Sequence, residues 1–229
     1  MSQAVRYLGV VPARAGSKGL PGKNMLELGG RPLVRHTLEA ALGSARLDRI
    51  LLTSDDEAAV ALAEEVGVPS VQRPAELATD DAPVLGAVLH AIDSTGADVE
   101  NVVLLQPTSP LRDARDIDAA IDAFESSGRP TLVSVDPVSQ HPCEVVQVVD
   151  GRLERAVEWP EGATGRQALP EFFYVNGAIY IARVDKLRAT GAFQDEDSAV
   201  FVMEPSHSVD IDDAFDLDVA RGLLDGVRD

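Results

Sequence analysis

An α/β fold with a Rossmann-like, doubly wound, mostly parallel central sheet is what this sequence predicts, and three observations carry that expectation. Short apolar runs alternate with segments of helical periodicity from Arg6 onward. The run at 102–106, VVLLQ, is apolar without interruption up to its final glutamine, as in a strand buried on both faces. A glycine-rich loop follows the first strand directly, at the edge where an open parallel sheet places its ligands. The chain has 229 residues, enough for one such domain with a full core.

The elements follow in order. Residues 6–12 read as a buried strand and 13–24 as the loop after it. Residues 32–44 read as a helix with Leu33, Thr37, Leu38, Ala41 and Leu42 on one face. A strand at 49–53 runs into Ser54-Asp55-Asp56, a helix-capping sequence, and 57–66 is the helix it starts. A short strand is expected at 68–72, a helix at 82–94, the buried strand at 102–106, a helix at 113–126 and a strand at 131–135. From 136 the pattern changes. Residues 140–149, Asp150-Gly151 and 152–158 read as a β-hairpin on an Asp-Gly turn. Residues 136–170 are therefore expected to form an inserted β-rich arm, a lid or a dimerisation element, within a single domain spanning 1–229. The main sheet resumes at 178–182, followed by a short helix at 184–190, a strand at 200–204 and a closing helix at 213–224.

Composition removes several function classes. Apolar runs such as 102–105 are far too short to cross a bilayer, and residues 1–19 lack the apolar core and cleavage site of a signal peptide. A cytoplasmic protein with no membrane partner is expected. The single cysteine, Cys143, allows no internal disulfide and no multi-cysteine metal site, and reads as a packing residue. A net charge of −18 argues against a nucleic-acid partner, because polyphosphate is repelled at long range. An anionic small substrate then needs cations focused at one cleft. Lysine is rare, and two of the three, Lys18 and Lys23, sit in the first loop, with Lys186 elsewhere. An Asp-rich, Lys-poor surface suits high-salt solvent, although a GC-rich genome biases composition the same way.

Three segments carry chemistry. The loop at 12–24, PARAGSKGLPGKN, combines glycines that let backbone approach phosphate with Arg14, Lys18 and Lys23 to neutralise it. It is not a Walker loop, since Ser17 stands where the first glycine belongs and Asn24 where Ser or Thr follows the lysine. In Ser208-Val-Asp-Ile-Asp-Asp213, Asp210 and Asp212 alternate, so in a strand both carboxylates face one way and suit Mg²⁺ beside a phosphate. Taken alone, such a pair in an Asp-rich chain is ordinarily solvated surface. Asp213 instead caps the last helix. The run at 104–112, LLQPTSPLR, ends the buried strand in a proline-fixed turn that offers Gln106, Thr108, Ser109 and Arg112 to the cleft.

Together ARAGSKGLPGKN, RPAELATDDAP, LLQPTSPLR, FFYVNGAIYI and SVDIDD, in this order, resemble the acylneuraminate cytidylyltransferases over nearly the whole chain. The resemblance implies the nucleotide-diphospho-sugar transferase type of sheet. It implies Mg²⁺-dependent transfer of CMP from CTP to the anomeric hydroxyl of an acidic nine-carbon (nonulosonic) sugar, with pyrophosphate released. It also implies a homodimer whose β-rich arms reach the partner's cleft. By the same resemblance Arg14 and Lys23 hold the phosphates, Ser17, Lys18 and Asn24 belong to the nucleotide loop, and Arg73 lies by the base. Gln106 contacts the sugar near the attacking hydroxyl, Asn176 and Tyr180 line the sugar pocket, and Arg166 approaches the sugar carboxylate from the partner's arm. Asp210 and Asp212 hold Mg²⁺, and Asp210 or a metal-bound hydroxide accepts the proton. Gln106 orients rather than deprotonates, because an amide does not ionise.

The chain departs from the family pattern at two places. Cys143-Glu144 stands where relatives often carry a lysine after His-Pro, and a glutamate facing the sugar carboxylate repels it. Pro83-Val84 stands where relatives often place serines against the base, which leaves CTP selection to backbone groups and Arg73. The alternatives are a sister enzyme, either of the CMP-Kdo type or using GTP on a sugar phosphate, and a non-catalytic nucleotide-sensing domain. The four histidines, His36, His90, His141 and His207, lack metal spacing and read as structural.

Overall fold

The structure, a computed structural model, describes residues 4–16, 20–162 and 164–226. The first strand, β1 (Val5–Ala13), leads through the glycine-rich loop to a small hairpin of β2 (Glu27–Leu28) and β3 (Arg31–Pro32). Then come α1 (Leu33–Gly43), β4 (Arg49–Ser54), α2 (Glu57–Glu65), β5 (Ser70–Gln72), α3 (Val84–Ser94), β6 (Val99–Leu105), α4 (Ala114–Ser127) and β7 (Thr131–Pro137). A second hairpin, β8 (Val146–Val149) and β9 (Arg152–Arg155), precedes β10 (Phe173–Arg183), α5 (Val184–Thr190), β11 (Ala199–Val202) and α6 (Ala214–Gly226).

Seven strands form the main sheet in the order β11-β7-β10-β6-β1-β4-β5. All run parallel except β10, which lies antiparallel between β6 and β7. The carboxyl ends of β1, β4, β6 and β7 consequently share one edge with the first half of β10. Alternation along the strands sends Val103 and Leu105 to one face and Val102 and Leu104 to the other. Helices α1, α2 and α4 cover the first face through Val34, Leu38, Ala59, Ala63, Ile117 and Ile121, and α3 and α5 cover the second through Val88, Ala91 and Leu187. Each large apolar side chain so buried contributes about 1.5–3 kcal/mol. A separate small cluster packs α6 against the first hairpin, with Leu28, Leu33, Ile211, Leu217 and Ala220 buried together.

Several expected elements are shifted, each for a local reason. On α1 the buried stripe is Leu33, Val34, Thr37, Leu38 and Ala41, and Leu42 is 45% exposed because the 3.6-residue period carries it past the sheet. Helix α3 starts only at Val84, since Pro83 stands at its N-cap. The hairpin strands are shorter than expected: His141 caps a single 3-10 turn at Pro142–Glu144, and the tight turn falls at Asp150 and Gly151, both with positive φ. Asp56 and Asp213 cap α2 and α6 as expected, accepting from Ala58 N at 2.9 Å and from Phe215 N at 2.8 Å. Asp113 adds a capping box with Asp116 at the start of α4.

Candidate active site

A cleft of about 260 Å³ opens at the carboxyl edge, between the exits of β1, β5 and β6. Arg14, Lys23, Asn24, Arg73 and Gln106 all line it, with Asp80, Val84 and Thr108 beside them. The larger hollow, about 500 Å³, lies at the opposite edge among Leu8, Leu47, Arg49, Val68 and Ser94; it is apolar and contains no predicted site residue. Convergent polar groups at a topological edge outweigh volume, so the smaller cleft is the candidate site.

Each cation of the cleft among the described residues is held in place. Arg14 donates through Nη1 to Thr79 O and to the Asp80 carboxylate, each at 2.9 Å. Lys23, 14% exposed, donates to Asp212 at 3.0 Å across 189 positions of sequence. Arg73, buried at 5% exposure, donates Nη2 to Thr53 O at 2.7 Å, and its Nε has no partner among the described residues. Burial pushes the Arg73 guanidinium below its ordinary range, Asp55 pulls it back up, and Arg14 adds a smaller push down. Asn24 is buried and donates Nδ2 to Arg14 O at 2.9 Å, so it shapes the loop from inside. Ser17 and Lys18 lie outside the described residues.

Gln106 sits one residue past the end of β6 and donates Nε2 to Gly177 O at 3.1 Å. A carbonyl only accepts, so the amide nitrogen must face Gly177 and the other atom, Oε1, is left for the cleft. Gly177 has φ +75°, where side chains are strained, and a Cβ there meets Gln106 Nε2 at 3.3 Å, Asp210 Oδ2 at 3.8 Å and Tyr180 Oη at 4.0 Å. Three predicted site residues therefore converge on the one position that has no side chain. The register of β10 against β7 shifts between Val175 and Tyr180, which creates this bulge. Tyr180 packs against Phe193 at 5.8 Å, and burial, then Asp210, raises its hydroxyl above the ordinary range.

Asp210 and Asp212 are not in a strand, contrary to expectation; no neighbouring strand pairs with 208–212, and Ile211 N instead bonds Thr108 O at 2.8 Å. Ile211 is wholly buried in the small cluster, so the carboxylates on either side are still brought near each other. Burial raises the Asp210 carboxyl, Thr108 lowers it, and Asp212 raises it again. Its Oδ1 is buried with no hydrogen-bond partner among the described residues. An orphaned carboxylate oxygen beside a second carboxylate fits a hard divalent cation. A different acidic group, Asp113, Asp116 and His207, has ligand atoms within 4.8 Å of one another. Most of its oxygens are already engaged, both of Asp113 by the α4 N-terminus and Arg115, and Oδ2 of Asp116 by Asp113 N and His207 Nδ1.

The remaining predicted residues stand elsewhere. Asn176 is 2% exposed; its Oδ1 accepts from Ser134 Oγ at 2.6 Å and Ala178 N at 3.1 Å, and its Nδ2 faces Met203. The structure thus does not bring Asn176 to the cleft, because the bulge at Gly177 turns it to the opposite side of β10. Ser109 and Arg112, expected at the cleft, are both buried beneath it. Arg166 lies in the arm, in a hollow with His141, Glu171 and Phe172, where it donates to Ser139 O and pairs with Glu144 at 3.7 Å. Glu144 therefore has a positive neighbour of its own. Gly177 and Asp80 are the site residues that sequence reasoning missed. An Asn-Gly step inside an apolar strand signals the first, but nothing local signals the second.

Comparison with known proteins shows the family. The cytidylyltransferase family pattern matches residues 8–151. N-acylneuraminate cytidylyltransferase of Escherichia coli O18:K1:H7 is 34% identical over 216 residues, which cover 94% of this chain and 51% of that protein. The chain thus spans about half the length of the N-acylneuraminate cytidylyltransferases it matches. CMP-N,N'-diacetyllegionaminic acid synthase of Legionella pneumophila is 33% identical over 229 aligned residues, covering 96% of this chain and 97% of that protein. The solved structure of CMP:2-keto-3-deoxy-manno-octonic acid synthetase with CTP shares the fold, with a TM-score of 0.73 at 18% identity over 97% of this chain and 99% of its own. By its sequence, and with the cations of its cleft set at the carboxyl edge of that same fold, the chain belongs to the cytidylyltransferase family.

Proposed function

We propose that this chain transfers CMP from CTP to the anomeric hydroxyl of a nonulosonic acid and releases pyrophosphate. The observation that carries the proposal is the convergence of Arg14, Lys23 and Arg73 with Gln106 in one cleft, facing the Asp210–Asp212 pair. The near full-length likeness to the Legionella synthase supports the substrate class.

The triphosphate takes the place of Asp80 and Asp212 as the partner of Arg14 and Lys23, and these cations stabilise charge that develops on the leaving pyrophosphate. Arg73 lies deeper, toward the base, where Ala82 and Val84 supply an apolar wall in place of hydroxyls. Gln106 Oε1 faces the sugar beside the attacking hydroxyl and orients it, while the Gly177 carbonyl fixes the amide. Holding the hydroxyl in line accounts for several kcal/mol of the barrier in reactions of this kind. Asp210 accepts the proton. Asp210 and Asp212 would hold Mg²⁺, which supplies charge neutralisation at the α-phosphate. Tyr180 borders the sugar side.

Residues 136–170 serve as an arm for a homodimer, in which Arg166 of the partner subunit meets the sugar carboxylate. Exposed apolar residues on and near the arm support this: Val148 is 78%, Leu153 63% and Tyr174 62% exposed. No helix among the described residues is long and apolar enough to cross a membrane, and the enzyme is assigned to the cytoplasm, where its nucleotide substrate is available.

Pyrophosphate release with Mg²⁺ and CTP, across N-acetylneuraminic, legionaminic and pseudaminic acids and Kdo, with GTP, UTP and ATP in parallel, tests the proposal. Turnover of CTP with one nonulosonic acid is expected. Turnover only with Kdo or with GTP moves the chain to a sister activity, and nucleotide binding without turnover makes it a sensor.

A further inference from the structure

Arg112 is the largest fully buried side chain, yet no carboxylate pairs with it among the described residues. Its fork makes neutral contacts instead. Nη1 donates to Ala178 O at 2.8 Å and Gln106 O at 3.3 Å, and Nη2 donates to Thr37 Oγ1 at 2.8 Å. Burial lowers its pKa to about 10, a shift that Asp116 only partly opposes, so the group remains cationic at neutral pH. An unpaired buried cation is costly, and an apolar side chain of similar volume fills a core with less penalty.

What the guanidinium joins is informative. Gln106 O begins the turn that Arg112 itself ends, so the side chain closes that turn upon its own start. Ala178 O belongs to the bulge whose neighbour, Gly177, receives the Gln106 amide. Within the same turn, Thr108 O receives Ile211 N and so holds the segment carrying Asp210 and Asp212. The planar, forked cation thus sits where the β6 exit, the β10 bulge and α1 come together.

We propose that Arg112 is a positioning residue: its buried fork locks the 106–112 turn against the Gly177–Ala178 bulge, and thereby sets where Gln106 and Asp210 stand in the cleft. The kinetic part of this inference rests on the CMP-transfer reading, whereas the structural part does not.

The test compares Arg112→Lys and Arg112→Met in the full chain, with Thr37→Val as a control that removes only the α1 contact. Amide hydrogen exchange is read over 104–112, 174–180, 208–213 and the distant strand β4, together with CTP affinity, kcat and sugar KM. In Arg112→Met, exchange is expected to quicken in the first three segments and not in β4. CTP affinity should hold, because Arg14, Lys23 and Arg73 are untouched, while kcat falls about 10²-fold, the scale set by misplacing a reacting group by about 1 Å. Arg112→Lys should fall between Arg112→Met and the unmodified chain, since an ammonium can still donate to the same carbonyls. Thr37→Val should keep kcat. Uniformly faster exchange with CTP affinity, kcat and thermal stability declining in step reduces Arg112 to a core residue and overturns the proposal, as does an unchanged kcat. If Arg112→Met does not fold, Arg112→Lys carries the same comparison. Absence of turnover in the unmodified chain counts against CMP transfer, and the exchange pattern then decides on the lock alone.

Discussion

Gly177→Ala separates stability from positioning more cleanly than removal of any charged residue. At φ +75° an alanine pays roughly 1–2 kcal/mol for the left-handed conformation. About 0.4–1 kcal/mol of that returns because alanine restricts the unfolded chain. The net destabilisation is then about 1 kcal/mol, a fall in Tm of roughly 2–4 °C for a chain of this size. The effect on the site is of another kind. The new Cβ stands 3.3 Å from Gln106 Nε2, tighter than ordinary contact, so the amide must retreat by a few tenths of an ångström. It can do so only by weakening its 3.1 Å bond to Gly177 O, the contact that points Oε1 into the cleft. Since a displacement of about 1 Å can cost about 10²-fold, a smaller shift with loss of aim corresponds to a fall of roughly tenfold or more in kcat. Initial rates of pyrophosphate release well below Tm, where nearly all the protein is folded, isolate this loss from instability. An unchanged rate refutes the placement of Gln106 at the attacking hydroxyl, and a loss that appears only near Tm assigns Gly177 to stability alone.

Three further outcomes are expected. Lys23→Met should raise KM for CTP by about 10–100-fold, the equivalent of one charge-assisted hydrogen bond of ~1.5–3 kcal/mol, and an unchanged KM in initial-rate measurements removes Lys23 from the phosphate site. Asp210→Asn should abolish turnover yet raise Tm in metal-free buffer at pH 7.5. Because the folded pKa of Asp210 is raised, its stabilising contribution is present below the unfolded pKa and lost as pH rises through the folded one, so at neutral pH the ionised form opposes folding. A gain of ~0.5–2 kcal/mol is typical of such function-for-stability sites, and a drop in Tm by scanning calorimetry contradicts the reading of a strained carboxylate. Val148→Asp with Leu153→Asp places two charges on exposed apolar positions of the arm, so light scattering should show monomers. A dimer that persists locates the interface elsewhere.

The sheet was legible because its strands and helices differ in local period, and the apolar face of each element can be read without knowing its neighbours. The direction of β10 was not legible, since an apolar run reads the same whichever way it lies beside β6. The same strand hid which of Asn176 and Gly177 borders the cleft. Alternation assigns sides by counting in twos, and the bulge between Val175 and Tyr180 breaks the count. Arg112 was read as a cleft residue from its type and its place in a loop, but the turn folds it inward onto Ala178 O and Thr37, contacts 66 and 75 positions away. The pairing of Lys23 with Asp212 spans 189 positions and had no local signature. Motif order marked the loop and the carboxylates as candidates; their mutual contact belongs to the tertiary structure.

That contact bears on how so acidic a chain would receive the proposed triphosphate. At physiological ionic strength the screening length is about 8 Å, so most of the −18 net charge, spread over the surface, acts weakly inside the cleft. The carboxylates that matter are those in contact with the cations, Asp80 on Arg14 and Asp212 on Lys23. They hold both side chains extended toward the cleft in the absence of substrate, which lowers the entropy cost of binding. They also make entry an exchange of anions rather than an addition. A lone phosphate replaces one carboxylate at one cation, whereas a triphosphate can engage both cations at once. Arg73, buried and without a carboxylate in hydrogen-bond range among the described residues, contributes attraction that nearby Asp55 offsets only through space. On the proposed CMP-transfer reading, the local arrangement favours polyphosphate over monophosphate, while the acidic exterior disfavours longer polyanions that cannot enter the cleft.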